Sequence, residues 1–126
     1  MAEYYINKGN EDRWVFPLYD EGNNPINFSS LTEPQDITID VYVNGRPQGS
    51  WGKNTAGTYG NIYQGTNAND CFVLPTAAQT SSWPVGSLTV KITIKLIDTL
   101  TPTPVFTPTR DFVQWKSLGE VLNYTR

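Results

Sequence analysis

The sequence predicts a single all-β domain, an antiparallel β-sandwich of the immunoglobulin-like type. Several segments alternate apolar and polar residues with period two, which places one set of side chains on a core face and the other in solvent. Clusters of Gly, Pro and Asn separate these segments, and helical periodicity is nearly absent. Short strands between such turn signals are typical of a sandwich, and 126 residues suffice for one domain spanning the whole chain, 1–126.

The first predicted strand carries Trp14, Phe16 and Leu18 at alternating positions. Pro17 has no amide to donate to a central ladder, so we expect this strand at a sheet edge. A dense turn signal, Asp-Glu-Gly-Asn-Asn-Pro at 20–25, ends the strand. This segment offers several oxygens to calcium, but its order does not match a twelve-residue calcium loop, so a plain turn is favoured.

A hairpin follows. Ile37–Val43 alternates strictly, and Asn44-Gly45 behind it tolerates the two positive φ angles of a type I′ turn. We therefore expect the chain to return along Arg46–Trp51.

The clearest strand of all is Leu88–Asp98, in which Leu, Val and Ile alternate with Thr and Lys. Only Thr76–Ser82, closed by Trp83-Pro84, could form a short helix. Weaker strands are expected at Asp70–Leu74, Val105–Phe106, Arg110–Trp115 and Glu120–Tyr124.

Two segments are irregular. Residues 49–70 are rich in Gly, Asn, Thr and Tyr and are interpreted as a long loop between strands, a feature that is commonly functional. Residues 99–109 are rich in Pro and Thr. Prolines such as Pro102 and Pro104 favour a stiff, extended backbone that could lie on a neighbouring molecule.

The chain contains no histidine, which removes the commonest general base and the commonest transition-metal ligand. No glycine-rich phosphate loop follows a strand. Glycoside hydrolysis needs only two carboxylates, and Asp20, Glu21, Asp40 and Asp98 are available, but acidic residues at turns or on outer strand faces are usually solvated. We therefore expect no enzyme, no metal site and no cofactor.

The formal net charge of −3 and the scattered Lys and Arg residues argue against nucleic-acid binding, which needs a basic stripe. No apolar run is long enough to cross a bilayer, and the first residues lack a secretion signal, so a soluble cytoplasmic product is expected. Cys71, the single cysteine, stands before Phe-Val-Leu and is interpreted as a buried structural thiol rather than a reactive one.

The remaining chemical feature is the surplus of aromatic residues. Trp14 and Phe16 fit a core strand. Four other aromatic residues, Trp51, Tyr59, Tyr63 and Trp83, lie in turn-rich sequence where no core role is required. Together with Pro102 and Pro104 they are the candidate residues for an interface or a ligand-binding site. Exposed aromatics flanked by Asn, Gln and Thr can stack on sugar rings or anchor a protein interface.

The first third of the chain resembles the immunoglobulin-like N-terminal domain of phage upper-baseplate and fibre-attachment proteins. The resemblance is carried by Gly9-Asn10, Phe16, Leu18, Asp20, Gly22 and Pro25-Ile26-Asn27-Phe28-Ser29. Farther along, Trp83-Pro84-Val85-Gly86 before Leu88–Asp98 is similar to the late glycine turn and strand of that family. The resemblance implies a sandwich that docks into a virion by surface packing and builds symmetric assemblies.

Two functions are therefore expected. The first is a phage virion structural protein of the tail, baseplate, fibre or head decoration, made in the host bacterial cytoplasm. Its partners would be other virion proteins and copies of itself, without nucleic acid or membrane. The alternative is a carbohydrate-binding module or receptor-binding domain that presents surface Trp and Tyr to a glycan.

Overall fold

The computed structural model describes residues 4–7, 13–97 and 109–122. In these ranges β-strands are the main secondary structure. The strands are β1 (Tyr4–Asn7), β2 (Trp14–Pro17), β3 (Asp36–Val43), β4 (Arg46–Gly52), β5 (Gly60–Asn61), β6 (Tyr63–Gln64), β7 (Asp70–Val73), β8 (Gly86–Ile97) and β9 (Thr109–Leu122). A 3₁₀ turn (Phe28–Ser30) and one short helix, α1 (Ala77–Ser81), complete the elements.

The strands form two sheets. The larger has the order β1-β9-β8-β3-β4-β5 and the smaller has the order β2-β7-β6. The prediction of an all-β, two-sheet molecule is confirmed. The expectation that every pairing is antiparallel is wrong, because β1 runs parallel to β9 and β5 runs parallel to β4.

One hydrophobic core contains residues from both sheets, and period-two alternation places them there. The larger sheet contributes the apolar sets of β3 and β8: Ile37, Ile39, Val41, Val43, Leu88, Val90, Ile92 and Ile94. The smaller sheet contributes Trp14, Phe16, Cys71 and Val73. As predicted, β2 lies at a sheet edge, with its proline at the end of the strand.

The predicted hairpin is confirmed. Asn44 and Gly45 have φ angles of 53° and 77°, as a type I′ turn requires. The Asn44 side chain also holds the start of β8. Its Nδ2 donates to the Val85 carbonyl at 3.0 Å, and its Oδ1 accepts from the backbone amide of Ser87 at 3.0 Å. One turn residue thus fixes both a hairpin and the neighbouring strand.

Two predicted strands, Arg110–Trp115 and Glu120–Tyr124, are one strand in the structure. β9 pairs with β8 along its length, and the register shifts where Leu88 faces Gly119 and Thr89 faces Ser117. The extra residue, Leu118, forms a bulge, and Gly119 has a φ of 112°. The bulge breaks the period-two pattern, which is why the sequence indicated two separate strands.

The segment 49–70 is not the single long loop that the sequence predicts. Its first residues end β4, and two short strands follow. β5 pairs with the larger sheet and β6 with the smaller one, while Ile62 between them is buried. The chain therefore crosses from one sheet to the other at this residue.

The helix predicted within Thr76–Ser82 is confirmed by α1. The Thr76 side chain accepts from the Gln79 amide, and the Gln79 side chain accepts from the Thr76 amide, which is a capping box. The strand expected at Val105–Phe106 and the segment holding Pro102 and Pro104 lie outside the described residues.

Candidate binding surfaces

Two of the four aromatic residues expected at the surface are buried. Trp51 faces inward from β4, where it pairs with Ile39 of β3, and Trp83 has no exposed surface. The expectation that these two side chains are exposed is therefore wrong. Turn-forming neighbours suggested exposure, but both indoles fill the core between the sheets.

The buried indoles belong to a cluster of four rings, Trp14, Trp51, Tyr59 and Trp83. Trp14 lies 5.8 Å from Trp51 and 5.7 Å from Trp83 between ring centroids, within the range of favourable tilted aromatic pairs. Tyr59 lies 5.1 Å from Trp51. Its hydroxyl accepts a hydrogen bond from Trp83 Nε1 at 2.9 Å and donates to the Gln48 carbonyl at 3.2 Å.

A groove of about 280 Å³ opens beside this cluster. Its lining residues are Trp51, Tyr59, Gly60, Asn61, Tyr63, Leu74 and Thr76. Three of the predicted candidates, Trp51, Tyr59 and Tyr63, therefore meet at one place, and Trp83 lies one hydrogen bond behind them. Among the aromatic residues of the groove, Tyr63 is the well-exposed one, at 45%. Asn61 adds an exposed side-chain amide.

Tyr63 also belongs to a row across the outer face of the smaller sheet. Val15 of β2 pairs with Phe72 of β7, and Phe72 pairs with Tyr63 of β6. The Tyr63 and Phe72 rings stack at 5.5 Å, and the Arg13 guanidinium lies 4.7 Å from the Phe72 centroid, a cation–π distance. This face is therefore apolar at its centre, with a cation above it.

The outer face of the larger sheet carries a residue that the sequence reasoning did not select. Trp115 on β9 is 58% exposed, the highest value among the large hydrophobic residues described. Its ring lies 5.0 Å from that of Tyr42, and Lys91 Nζ lies 5.8 Å from its centroid. Val113, two residues earlier, is 41% exposed. We call Tyr42, Lys91, Val113 and Trp115 the Trp115 face.

A signal for this face was present in the sequence. Val113 and Trp115 share one side of a period-two strand. Which side faces outward depends on register, since Trp115 lies opposite Lys91 and Val113 lies opposite Thr93. This register can be read only from the folded sheet. The same holds for the contact between Tyr42 and Trp115, which lie diagonally across the sheet.

Beside the Trp115 face lies a polar cleft of about 230 Å³. It is lined by Asp36, Thr38, Asp40, Thr93, Lys95 and Asp111. Burial raises the pKa of the Asp40 carboxyl, and the positive charge of Lys91 partly offsets that effect. Asp36 Oδ1 already accepts from the amides of Ile37 and Asn54, both at 2.8 Å, so its carboxylate holds two chain segments together.

The other candidate carboxylates have structural partners or lie outside the described residues. Asp20 Oδ1 accepts from the Gly22 and Asn24 amides, both at 2.9 Å, which makes 20–25 the plain turn expected. Glu21 forms an ion pair with Arg110 Nε at 2.7 Å. Asp98 is not among the described residues.

Cys71 is buried in the core, as its sequence context predicted. Burial raises the pKa of its thiol to about 12, and the charge of Asp70 contributes in the same direction. A thiol in this state carries almost no thiolate at neutral pH.

Two further kinds of feature are absent from the described residues. No group of three or more His, Cys, Asp or Glu side chains could hold a metal ion. No helix among them is long and apolar enough to cross a membrane. Comparison of the chain with protein-family models, curated proteins and solved structures gave no match.

Proposed function

We propose that this chain is a non-catalytic structural protein of a tailed-phage particle, a component of the tail, baseplate, fibre or head decoration. It acts by docking its surfaces against other virion proteins and against copies of itself. The single observation that supports docking most directly is the Trp115 face, an outer sheet surface that carries a large, well-exposed indole. Tryptophan is the residue most enriched among those that dominate the binding energy of protein interfaces.

The exposed indole is held in place before any partner arrives. Tyr42 packs against it, and Lys91 lies beside its ring, so little side-chain freedom is lost on docking. The polar cleft with Asp40 and Lys95 lies on the same face of the sheet, so the surface combines an apolar indole with charged neighbours, as protein interfaces do.

The placement in a phage particle, and in the immunoglobulin-like class of sandwich, rests on the resemblance carried by the early motif. The motif residues form a tight reversal of the chain direction between Leu18 and Ile26. The Ile26 amide donates to the Leu18 carbonyl at 3.0 Å, and the Phe28 amide donates to the Ala68 carbonyl at 2.9 Å. Ile26 and Phe28 are both buried. Buried side chains at a hydrogen-bonded chain reversal are features that domains of one fold would share.

Mass spectrometry of gradient-purified particles tests the placement. The host would be a bacterium infected with the phage that encodes this chain, and the product would be made in its cytoplasm before incorporation. We expect peptides of the chain in the particles at a fixed ratio to the major capsid protein. Their absence from intact particles, with the protein present in the lysate, would end the proposal.

A second candidate is carbohydrate binding, and the groove beside Tyr59 favours it. An exposed ring of Tyr63, an amide at Asn61 and a neighbouring hydroxyl at Thr76 are the groups that stack on a sugar and hydrogen-bond to it. A glycan array probed with the purified chain tests this function. Binding that is lost in Tyr63→Ala and kept in Val85→Ala would support it, whereas a blank array would remove it.

A further inference from the structure

Among the described residues, the edge of β9 that faces away from β8 is paired only near its C-terminal end. β9 pairs with β8 on one side from Thr109 to Leu122. On its other side β1 pairs only with Gly119–Leu122. In the described ranges no strand covers the edge from Asp111 to Leu118, so about half of the backbone N–H and C=O groups there point away from the sheet.

Two features that usually protect such an edge, core-side charges at Arg110 and Lys116 and a bulge, lie towards its ends, and the middle of the edge has neither. The stretch Thr109–Leu118 contains no proline, and its bulge lies at the end, beside the start of β1. Lys116 is the one lysine in it. A long edge with exposed Val113 and Trp115 is a template for another strand.

We propose that this edge binds a second copy of the same chain, β9 against β9 in antiparallel orientation. The contact joins the two larger sheets into one continuous sheet across a two-fold axis. The inference deepens the proposed docking function and rests on it, since it names the first partner. Self-complementarity of the strand is the reason for choosing a second copy rather than a different protein.

The sequence of the edge selects one register. A two-fold axis perpendicular to the sheet pairs residues that lie on the same face. With the axis at Gln114, Val113 lies opposite Trp115 of the second copy, and Trp115 lies opposite Val113 of that copy. These apolar cross-strand pairs stabilise a sheet, and the pairing covers the edge from Asp111 to Ser117.

Neighbouring registers are less favourable. With the axis at Val113, Trp115 faces Asp111 of the second copy, which replaces the apolar cross-strand contact with an apolar–charged one. With the axis at Phe112, Asp111 faces Val113 of the second copy. With the axis at Trp115, the pairing shortens because β1 already occupies the edge at Gly119.

Disulfide trapping tests both the contact and its register. In Gln114→Cys the two new thiols meet on the axis, where the Cα separation of facing residues in an antiparallel pair, about 4.5–5.5 Å, permits a disulfide. The matched control is Ser117→Cys, which is more exposed but places the two thiols about 20 Å apart. Cys71 is buried, so the unsubstituted chain serves as a second control.

We expect Gln114→Cys to form a covalent dimer under mild oxidation at least about tenfold more than Ser117→Cys. Equal trapping of the two variants, or no trapping of either, would overturn the proposal. Sedimentation velocity of the unsubstituted chain provides a test without a new cysteine. A monomer up to about 100 μM, a concentration at which a Kd of about 10 μM gives mostly dimer, would also overturn it.

Val113→Lys tests the apolar pair, because it places a lysine on the open edge opposite Trp115 of the second copy. We expect the dimer Kd to rise at least about tenfold. Val85→Lys, at a position that is 52% exposed and outside β9, should leave the Kd unchanged. The failures are distinguishable: a chain found in particles but monomeric in solution overturns only this inference, and a dimer absent from particles overturns only the virion placement.

Discussion

The indole nitrogen of Trp83 donates a hydrogen bond of 2.9 Å to the hydroxyl of Tyr59, and this bond joins the buried core to the wall of the groove. Trp83 is fully buried, so its N–H has no access to solvent. Tyr59 is only partly buried and packs against the core from the side. The position of the groove wall is therefore set by the packing of the core.

Tyr59→Phe tests this relationship. The substitution keeps the ring and leaves the Trp83 N–H buried without its acceptor, which costs about 1–3 kcal/mol. Urea denaturation should show that loss in the free energy of unfolding, with an unchanged m-value. Tyr63→Phe is the matched control, since Tyr63 is well exposed, and it should change the free energy of unfolding by less than about 0.5 kcal/mol. Equal effects of the two variants would contradict this role of the Tyr59 hydroxyl.

Gly86→Ala should destabilise the start of β8. Gly86 has a φ of 146°, and a Cβ there would overlap the Asn44 amide. We expect a loss above about 2 kcal/mol in the free energy of unfolding. Gly45→Ala is the control, because Gly45 also has a positive φ but has open space around it, so only the backbone cost of about 1–2 kcal/mol remains. A Gly86→Ala variant as stable as Gly45→Ala would show that the Asn44 contacts do not constrain this strand.

Asp40→Asn should stabilise the protein at neutral pH. The folded state raises the pKa of the Asp40 carboxyl above its ordinary value of 3.8, so the folded state binds the proton more tightly than the unfolded chain does. Ionised Asp40 therefore lowers stability, and this penalty develops as the pH rises from the ordinary value through the raised one. Below that window the variant and the unsubstituted chain should be equally stable. The gain at pH 7 should be under about 1 kcal/mol, because the site is partly solvated and near Lys91.

Glu21→Gln should show the opposite pH dependence. The hydrogen bond from Arg110 lowers the pKa of Glu21 below its ordinary value of 4.5. The ionised form therefore stabilises the folded state at pH values above 4.5, and the contribution is lost as the pH falls through the lowered pKa. Unfolding curves at pH 7 and pH 3 for both variants check the two signs together. The same sign for both would contradict the charge environments described above.

Cys71 should resist thiol reagents in the folded protein. Its thiol is buried and its pKa is raised to about 12, so Ellman's reagent at pH 8 should react only after unfolding in urea. The rate of labelling should follow the unfolding transition. Fast, stoichiometric labelling of the native chain would show that the smaller sheet opens readily.

Much of the fold could be predicted because its signals are local. Strict alternation in Ile37–Val43 and Leu88–Asp98 and the dipeptide Asn44-Gly45 each determine a strand or a turn within a few residues. The bulge at Leu118 and the parallel pairing of β1 depend on partners far away in the chain. The pairing of β1 has no signature within its own segment, and the bulge is visible there only as a break in the alternation.

The candidate site was less predictable for the same physical reason. Trp51 and Trp83 stand among turn-forming residues, and their burial comes from contacts with Trp14 on a distant strand. The exposure of Trp115 depends on which face of β9 packs on the core. Local sequence gives the spacing of side chains along a strand, but the long-range register decides which of them face the solvent.

The measurement that tests the central claim most directly is the incorporation of variants into phage particles. A phage lacking this gene would be complemented with the unsubstituted chain, Trp115→Ala or Val85→Ala, and the chain would be quantified in purified particles. If the Trp115 face docks the protein, the loss of an interface anchor worth about 2 kcal/mol or more should reduce incorporation of Trp115→Ala by about tenfold or more. Val85→Ala should be incorporated like the unsubstituted chain. Equal incorporation of all three would contradict the account.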